Sequence, residues 1–294
     1  MALQIKTIKK RISSVKNIKK ITRAMEMVAA SKMRKAIDQA LNTRTYAKLA
    51  LELLVNVAQE DVEHPLLEKR DLNNILVVII GSNKGLCGGY NSNIYKKLKE
   101  VCEFHKERKV DFITVGKKVE KMVKEFSGKH VASFIEFSED PTFDDILALS
   151  NMVLDSFTKG EYDRVKIIYT DFVSSIKSEV KKRNLLPVSE KVLEEMIEHL
   201  GDKVESENMS KYIFEPDKEG LLDEVLPRLV EIQFYQSLLE SNASEHSSRM
   251  LAMKGASDSA SEMIDELTLY FNQARQAAIT QEISEIASGA AALE

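Results

Sequence analysis

The sequence predicts an α/β fold combined with a coiled coil. Two long helices, one from each end of the chain, form an antiparallel two-helix coiled coil, and a mostly parallel, Rossmann-like α/β domain is inserted between them. An apolar seam with alternating steps of three and four residues runs from Leu229 to Ala278, or about seven heptads. From Leu72 to Tyr169, short apolar runs alternate with helical patterns instead, which is typical of a parallel sheet with crossover helices.

The C-terminal helix carries the longer seam. No proline follows Pro227, and the only later glycines are Gly255 and Gly289. His246 lies on the seam, where a polar residue more often fixes helix register than binds a metal. A helix of this length needs a partner helix to cover its apolar side. The seam consists of Leu229, Ile232, Gln236, Leu239, Ala243, His246, Met250, Met253, Ser257, Ala260, Ile264, Leu267, Phe271, Ala274 and Ala278.

The N-terminal helix spans residues 3 to about 57, and no glycine or proline interrupts residues 3–64. Its apolar positions change phase between Val15 and Ala29, which predicts a stammer-like break in the coiled-coil winding. Small alanines on its second half allow two helix axes to approach closely. The predicted seam is Ile5, Ile8, Ile12 and Val15, then Ile18, Ile21, Met25 and Val28, then Ala29, Met33, Ala36, Ala40, Ala47, Ala50, Leu54 and Val57.

The same helix is charged with one sign. Between Lys6 and Lys35 it has eleven lysines and arginines and a single acid, Glu26. A solvated face and a surface for an acidic partner both explain such a run. Nucleic acid or an anionic membrane would also suit it, but aromatic residues are not interleaved with the cations. We therefore favour a partner helix.

The inserted domain is predicted from changes of period. Strands are expected at 75–80, 110–115, 131–137 and 165–169, helices at 91–108, 117–126 and 143–157, and an antiparallel strand at 178–188. The acidic segment 189–210 is expected to form an exposed helix and loop. The domain boundaries are 1–60 and 218–294 for the two coiled-coil helices and 70–215 for the inserted domain.

The C-terminal helix is predicted to extend beyond the end of the N-terminal helix. If the two helices start level at the inserted domain, Met25 lies near Met253 and Gln4 near Ala274. The C-terminal helix then extends some 15 to 20 residues further, or roughly 25–30 Å. This tip, from about Thr280 to Glu294, has no partner in its own chain and needs another protein around it.

Composition excludes several classes of protein. The 294 residues are 44% hydrophobic and 30% charged, with a net charge of −4, so bulk charge indicates no particular partner. Two cysteines, Cys87 and Cys102, are too few for a disulfide framework and fit a reducing compartment. The sequence has neither a bilayer-spanning apolar run nor a secretory signal, so we expect a cytosolic origin.

Catalytic chemistry is not predicted. The glycine-rich stretch from Gly81 to Asn91 follows a strand, as phosphate-binding loops do, but it matches neither the P-loop nor the dinucleotide template. A tight structural turn is favoured over nucleotide binding, and Cys87 is expected to be a small buried residue. No Ser/His/Asp set, paired carboxylates or metal-ligand cluster is evident. We predict no catalytic residue, cofactor or metal.

Four segments resemble the gamma subunit of F-type ATP synthases of the bacterial type. They are residues 12–35, Gly85–Gly89, Ser244–Lys254 and Ala274–Glu282. The resemblance runs from end to end and implies a central rotary stalk that is not catalytic alone. Its implied partners are a hexamer of alpha and beta subunits, the epsilon subunit and a membrane c-ring. It implies neither nucleic-acid nor direct nucleotide binding, and contact with the cytoplasmic face of the cell membrane only through the c-ring.

The resemblance also implies site residues. Met25 matches a contact with an acidic lever of beta, and Lys20, Arg23 and Lys32 are cations near it. The remaining implied sites are the beta contacts Arg275 and Gln276, the c-ring and epsilon contacts Tyr212 and Glu215, and the shaft tip Ile283, Ile286, Ala290 and Leu293. The loop 81–84 departs from the usual family pattern, so Asn83 and Lys84 receive no role. The plastid-type regulatory dithiol insertion is absent.

Two other classes of function remain open on sequence alone. One is an enzyme that uses the Gly81–Asn91 loop, for which nucleotide binding by the isolated chain would argue. The other is a coiled-coil scaffold or nucleic-acid binder, for which salt-sensitive DNA affinity would argue.

Overall fold

The computed structural model describes residues 2–58, 64–135, 137, 141–188 and 218–291, with side chains described in 5–43, 64–135, 137, 141–188, 220 and 222–289. Within these ranges the elements are, in chain order, helix α1 (Ala2–Ala58), β1 (Asn74–Ile80), α2 (Tyr90–Phe104), β2 (Lys109–Val115), α3 (Lys117–Val123), β3 (His130–Phe134), α4 (Phe143–Thr158), β4 (Arg164–Phe172), β5 (Ser178–Leu186) and α5 (Lys218–Ala291).

The chain divides into two compact units. The first contains residues 1–30 and 249–294, and the second contains residues 31–248. Both long helices, α1 and α5, therefore contribute a segment to each unit. The sequence-based division into 1–60, 70–215 and 218–294 stays a prediction.

The second unit is built on a five-stranded sheet with the strand order β3-β2-β1-β4-β5. The first four strands are parallel, and β5 pairs antiparallel with β4. Residues Ile75 to Ile80 of the central strand are all buried, because helices cover both faces of the sheet. The mostly parallel sheet and the antiparallel last strand confirm the sequence-based prediction.

The two faces of the sheet have separate cores. On one face, α4 and the first part of α5 pack against β1, β2 and β4 with large buried side chains such as Phe157, Leu229 and Phe234. On the other face, α2 and α3 cover the sheet with Ile94, Leu98 and Val119 among others. Each core contains mostly branched aliphatic residues at helical or alternating spacing, as the sequence pattern indicates.

Serine side chains join α5 to the end of β4. The Thr170 amide donates to Ser241 Oγ at 3.1 Å, and Ser244 Oγ donates to the Thr170 carbonyl at 3.2 Å. Ser247 Oγ donates to the carbonyl oxygen of Ser175 at 2.6 Å. These hydrogen bonds explain why α5 has small polar residues at positions that are buried in the second unit.

The predicted seam of α5 is confirmed by burial. All fifteen positions from Leu229 to Ala278 are buried or half-buried, including Gln236 and His246. In the first unit, Met253, Ser257 and Ala260 are the buried members. Small side chains at two of these three positions allow the close helix approach that the coiled coil requires.

The predicted break in the α1 seam is wrong. Ile18, Ile21 and Val28 are 52%, 61% and 53% exposed, whereas Thr22 and Ala29 are buried. The Thr22 hydroxyl donates to the carbonyl oxygen of Lys19 at 3.1 Å, which satisfies the polar group within the helix. The seam therefore keeps one phase in steps of three and four, through Ile5, Ile8, Ile12, Val15, Lys19, Thr22, Glu26, Ala29, Met33, Ala36 and Ala40, and of these only Lys19 is exposed.

Candidate functional surface of the terminal helices

An apolar stripe lies on the exposed side of α1. Ile18, Ile21, Met25 and Val28 follow one another in steps of three, four and three residues, which places them on one side of the helix. Met25 is half-buried and the other three are more than half exposed. Single exposed apolar residues are common, but several large ones in a row mark a surface that a partner covers. We call these four residues the α1 stripe.

Exposed cations occupy other sides of the same part of α1. Lys20 and Arg23 are exposed, as are the cations at positions 6, 9, 10, 11, 16 and 19. Arg23 Nη1 donates to both carboxylate oxygens of Glu26, at 2.8 and 2.7 Å. The sequence shows Glu26 as the single acid of this region but does not predict the pair. The Glu26 carboxylate thus orients the Arg23 guanidinium on a side of α1 away from the stripe.

Lys32 lies further along α1, in the second unit. Its side chain is half-buried, and it interacts with other groups of the protein. The two predicted cations of the first unit, Lys20 and Arg23, differ from it because both are exposed.

Every described side chain of α5 from Ile279 to Gly289 is exposed. Arg275 and Gln276 are exposed, and Ile279, Ile283 and Ile286 are 47%, 61% and 73% exposed. The side chains of Ala290 and Leu293 lie outside the described residues, as do Tyr212, Glu215 and the acidic segment 189–210. The described part of the predicted tip therefore presents isoleucines to solvent in the isolated chain.

The glycine-rich loop is a structural turn closed by its own hydrogen bonds. Asn91 Nδ2 donates to Ser82 Oγ at 2.7 Å and to Cys87 Sγ at 3.2 Å. Leu86 and Gly88 adopt left-handed backbone conformations with φ of 62° and 55°. At the start of α3, the Lys117 amide donates to Asn83 Oδ1 and the Lys118 amide to the Ser82 carbonyl. These hydrogen bonds fix the loop internally and against the start of α3, which favours the structural interpretation.

Two structural features that would indicate a function are absent from the described residues. No group of three or more His, Cys, Asp and Glu side chains is arranged to hold a metal ion in that part of the chain. Within the same ranges, no helix contains a segment of sufficient length and hydropathy to span a bilayer. Cys87 is buried, as predicted, and packs in the core under α2.

Comparison with known proteins places these features in a family. A family model described as ATP synthase matches residues 4–293. The ATP synthase gamma chain of Heliobacterium modesticaldum is 40% identical and that of Psychrobacter cryohalolentis 39% identical, each aligned over 98% of this chain and 99% of its own length.

Solved structures agree in fold. The central stalk and c-ring structure of the Tetrahymena thermophila mitochondrial ATP synthase contains a chain with 28% identity and a TM-score of 0.60, matched over 81% of this chain and 99% of that one. A rotor chain of the Euglena gracilis mitochondrial enzyme has 20% identity and a TM-score of 0.64, over 95% and 100% of the two chains. At that identity the second likeness concerns the fold alone.

Proposed function

The chain belongs to the ATP synthase gamma chain family, and from this premise we propose that it is the central rotary stalk of an F-type ATP synthase. In this role it couples ion flow through a membrane c-ring to ATP synthesis or hydrolysis in a hexamer of alpha and beta subunits. The observation that carries the proposal is the match along the full length of the chain, from residue 4 to residue 293.

The exposed surfaces of the first unit support contact with a surrounding hexamer. Burying the exposed half of an isoleucine contributes about 1 kcal/mol, whereas an exposed ion pair contributes about 0–1 kcal/mol. We therefore assign most of the affinity to the α1 stripe and to Ile283 and Ile286 of the tip. The cations Lys20 and Arg23 direct association with an acidic surface and set its salt dependence.

Rotation requires that the stalk present a different surface to each beta subunit. A bound protein shifts a conformational equilibrium only by its difference in affinity for the two states. The α1 stripe occupies one side of one helix, so three beta subunits around the stalk meet three different surfaces. In this proposal Met25 contacts an acidic lever of beta, with Lys20, Arg23 and Lys32 nearby, and Arg275 and Gln276 bind a second beta loop.

The remaining assignments complete the proposal. The chain is a non-catalytic subunit, organised as helices 1–60 and 218–294 around the domain 70–215. Tyr212 and Glu215 contact the c-ring and epsilon subunit. The protein sits peripherally at the cytoplasmic face of the cell membrane and reaches the membrane only through the c-ring.

Reconstitution tests this proposal. The full chain is co-purified with alpha and beta subunits, and a marker attached to its inserted domain is followed during ATP hydrolysis. We expect stoichiometric assembly and unidirectional rotation of the marker. A chain that stays separate from the hexamer, or a marker that stays still while ATP is hydrolysed, would contradict the proposal.

A charge placed on the α1 stripe tests the assignment of Met25. We expect Met25→Lys to strengthen one contact with an acidic lever and so to impair coupling more than assembly. The matched control is Met27→Lys, because Met27 is 59% exposed and lies off the stripe. ATP-driven ion pumping is measured relative to ATP hydrolysis in membranes that contain each variant. Normal pumping by the Met25 variant would refute the role of Met25.

A further inference from the structure

A cluster of cations lies where α2 ends against β4 in the second unit. His105, the residue that follows α2, is 3% exposed. Its Nε2 lies 2.8 Å from the ammonium nitrogen of Lys166, and its Nδ1 lies 3.0 Å from Nη1 of Arg108. Lys166 is itself only 5% exposed. One buried imidazole is therefore contacted by two side chains that ordinarily carry positive charge.

Two more cations share this environment. Arg164 lies two residues before Lys166 on β4, and Lys182 of β5 pairs with Ile168, so both side chains lie on the face that bears Lys166. Among the described residues, no carboxylate lies within 4 Å of Arg108, Arg164, Lys166 or Lys182. The C-terminus of α2 supplies only about half a negative charge. Lys97, and more weakly Lys182, lower the pKa of the exposed Glu100 carboxylate of α2, so one acid partly offsets Lys182. The cluster still has more cations than anions.

The hydrogen bonding of His105 shows how the protein accommodates this excess. A neutral imidazole accepts at one nitrogen and donates at the other. Nδ1 accepts from Arg108, so Nε2–H faces Lys166, which can accept only as a neutral amine. Burial, followed by the charge of Lys166, lowers the pKa of His105 to about 4. Burial, followed by the charges of Lys182 and Arg164, lowers the pKa of Lys166 to about 8.

Asn184 adds an unsatisfied polar atom beside Lys166, outside the lining of the cavity described below. It faces Lys166 directly across the ladder between β4 and β5. Its buried Oδ1 atom has no hydrogen-bond partner among the described residues. A buried amide oxygen without a hydrogen-bond partner is rare in proteins. Rotating the side-chain amide of Asn184 by 180° would place its NH2 group, a donor, at this position instead of the oxygen.

A cavity of about 440 Å³ opens beside this cluster. His105, Lys106, Arg108 and Lys129 contribute to its walls, and Lys109 lies there paired with Asp111 at 3.2 Å. Arg108 uses one N–H group on His105, and the rest of its fork-shaped guanidinium is unpaired among the described residues. A guanidinium with unused donors suits the oxygens of a phosphate. The volume falls in the range of ordinary ligand pockets.

We propose that this cavity, which we call the Arg108 cavity, binds a phosphate-bearing anion through Arg108, Lys106 and Lys129. The anion supplies the negative charge that the surrounding cations lack. The ligand chemistry is a phosphate group, carried either by a free anion or by a lipid headgroup.

Calorimetry on the purified full chain tests the proposal. Inorganic phosphate is titrated at pH 8, with ionic strength held constant by chloride. We expect saturable binding with one site. Arg108→Gln should weaken binding at least about tenfold. Lys96→Gln, an exposed lysine of α2 outside the cavity, should change it less than about twofold.

A second arm distinguishes the source of the phosphate group. Phosphatidylcholine vesicles with and without phosphatidic acid are sedimented with the same proteins. If the chain binds inorganic phosphate saturably in calorimetry, the ligand is a free anion. If it binds no inorganic phosphate but sediments with vesicles only when phosphatidic acid and Arg108 are both present, the ligand is a lipid headgroup. If neither arm shows binding that depends on Arg108, the proposal is overturned. Lys129→Gln gives the same test should the Arg108 variant fold poorly, as judged by circular dichroism.

The outcome is independent of the rotary role. Variants of the Arg108 cavity are expected to assemble with alpha and beta subunits as the unmodified chain does. Failure of phosphate binding with normal assembly would remove this inference and leave the proposed function intact.

Discussion

His105 is held in surroundings that oppose its protonation. Its ring is buried, and both ring nitrogens contact side chains of cationic type. Its pKa is about 4 in the folded chain, against 6.5 for an unperturbed histidine. The unfolded chain therefore takes up a proton at this residue as pH falls below 6.5, whereas the folded chain does so only near pH 4. Stability from this residue is complete above pH 6.5 and is lost as pH falls to 4.

The first prediction concerns this pH dependence. The free energy of unfolding should fall by on the order of 3 kcal/mol between pH 6.5 and pH 4 through His105 alone. His105→Gln keeps a polar side chain without titration, so its curve should be flatter over the same range. Urea unfolding at several pH values measures both curves. Parallel curves for the two proteins would show that His105 does not titrate as the structure implies.

The sequence predicted the burial of some residues but not the side-chain contacts of others. The burial of Cys87 and of the α5 seam followed from residue type and spacing. The pairing of Arg23 with Glu26 did not, because spacing of three residues on a helix permits a pair without requiring it. The contact between His105 and Lys166 joins residues 61 positions apart, so only the packing of α2 on β4 reveals it.

At the scale of elements, α1 shows where hydrophobicity alone misleads. The sequence places Ile21 and Val28 in the seam because they are strongly apolar, and the structure places Thr22 and Ala29 there instead. A strict heptad count gives the correct phase, but it requires Lys19 and Glu26 at seam positions. In the proposed function the α1 stripe is apolar for a partner rather than for its own coiled coil, and the sequence of one chain does not distinguish these two reasons.

Adjacent substitutions in α1 test the corrected seam. Ala29 is 2% exposed, so Ala29→Leu should overpack the coiled coil and destabilise it by about 1–3 kcal/mol. Val28→Leu is the matched control, since Val28 is 53% exposed and should change stability by less than about 0.5 kcal/mol. Thermal unfolding of the full chain, followed by circular dichroism, measures both. If Val28→Leu reduces the thermal stability more than Ala29→Leu does, Val28 lies in the seam and the break predicted from the sequence is correct after all.

Alanine substitutions at two glycines, one in a turn and one in α5, are expected to change stability in opposite directions. A Cβ atom on Gly128, in the turn before β3, would lie 1.8 Å from the carbonyl oxygen of Val110, so the backbone must move. Gly128→Ala should therefore destabilise the second unit by about 2 kcal/mol or more. Gly255 of α5 has open space around it, and Gly255→Ala should stabilise the helix by about 0.5–1 kcal/mol. Urea unfolding compares the two variants, and a gain in stability for Gly128→Ala would contradict the tight packing described.

For the whole molecule, the sequence predicted the architecture because the long helices and the sheet each have a distinct spacing of hydrophobic residues. Steps of three and four identify α1 and α5, and short apolar runs identify β1 to β4. The strand order β3-β2-β1-β4-β5 was not predicted, since several orders satisfy right-handed crossovers and only packing selects one. The exposed tip was expected from helix length, and Ile279, Ile283 and Ile286 at this end of α5 are exposed accordingly.

The last prediction concerns the tip of α5. A chain that ends at Ala278 lacks Ile279, Ile283 and Ile286, which are all exposed in the isolated chain. Its midpoint of thermal unfolding should therefore match that of the full chain, because little buried surface is removed. In the complex the same side chains are covered according to the proposed function. Loss of their burial should speed dissociation from the alpha and beta subunits at least about tenfold.

A full-length variant separates helix length from side-chain burial. Ile283→Ser combined with Ile286→Ser keeps the helix but removes its apolar surface, and should also speed dissociation. Surface-immobilised alpha–beta–gamma complexes in a flow cell report the dissociation rate of each chain. If the shortened chain unfolds at lower temperature on its own, the tip stabilises its own coiled coil. If all three chains dissociate at one rate, the surrounding subunits hold the stalk elsewhere, and the α1 stripe becomes the surface on which its retention depends.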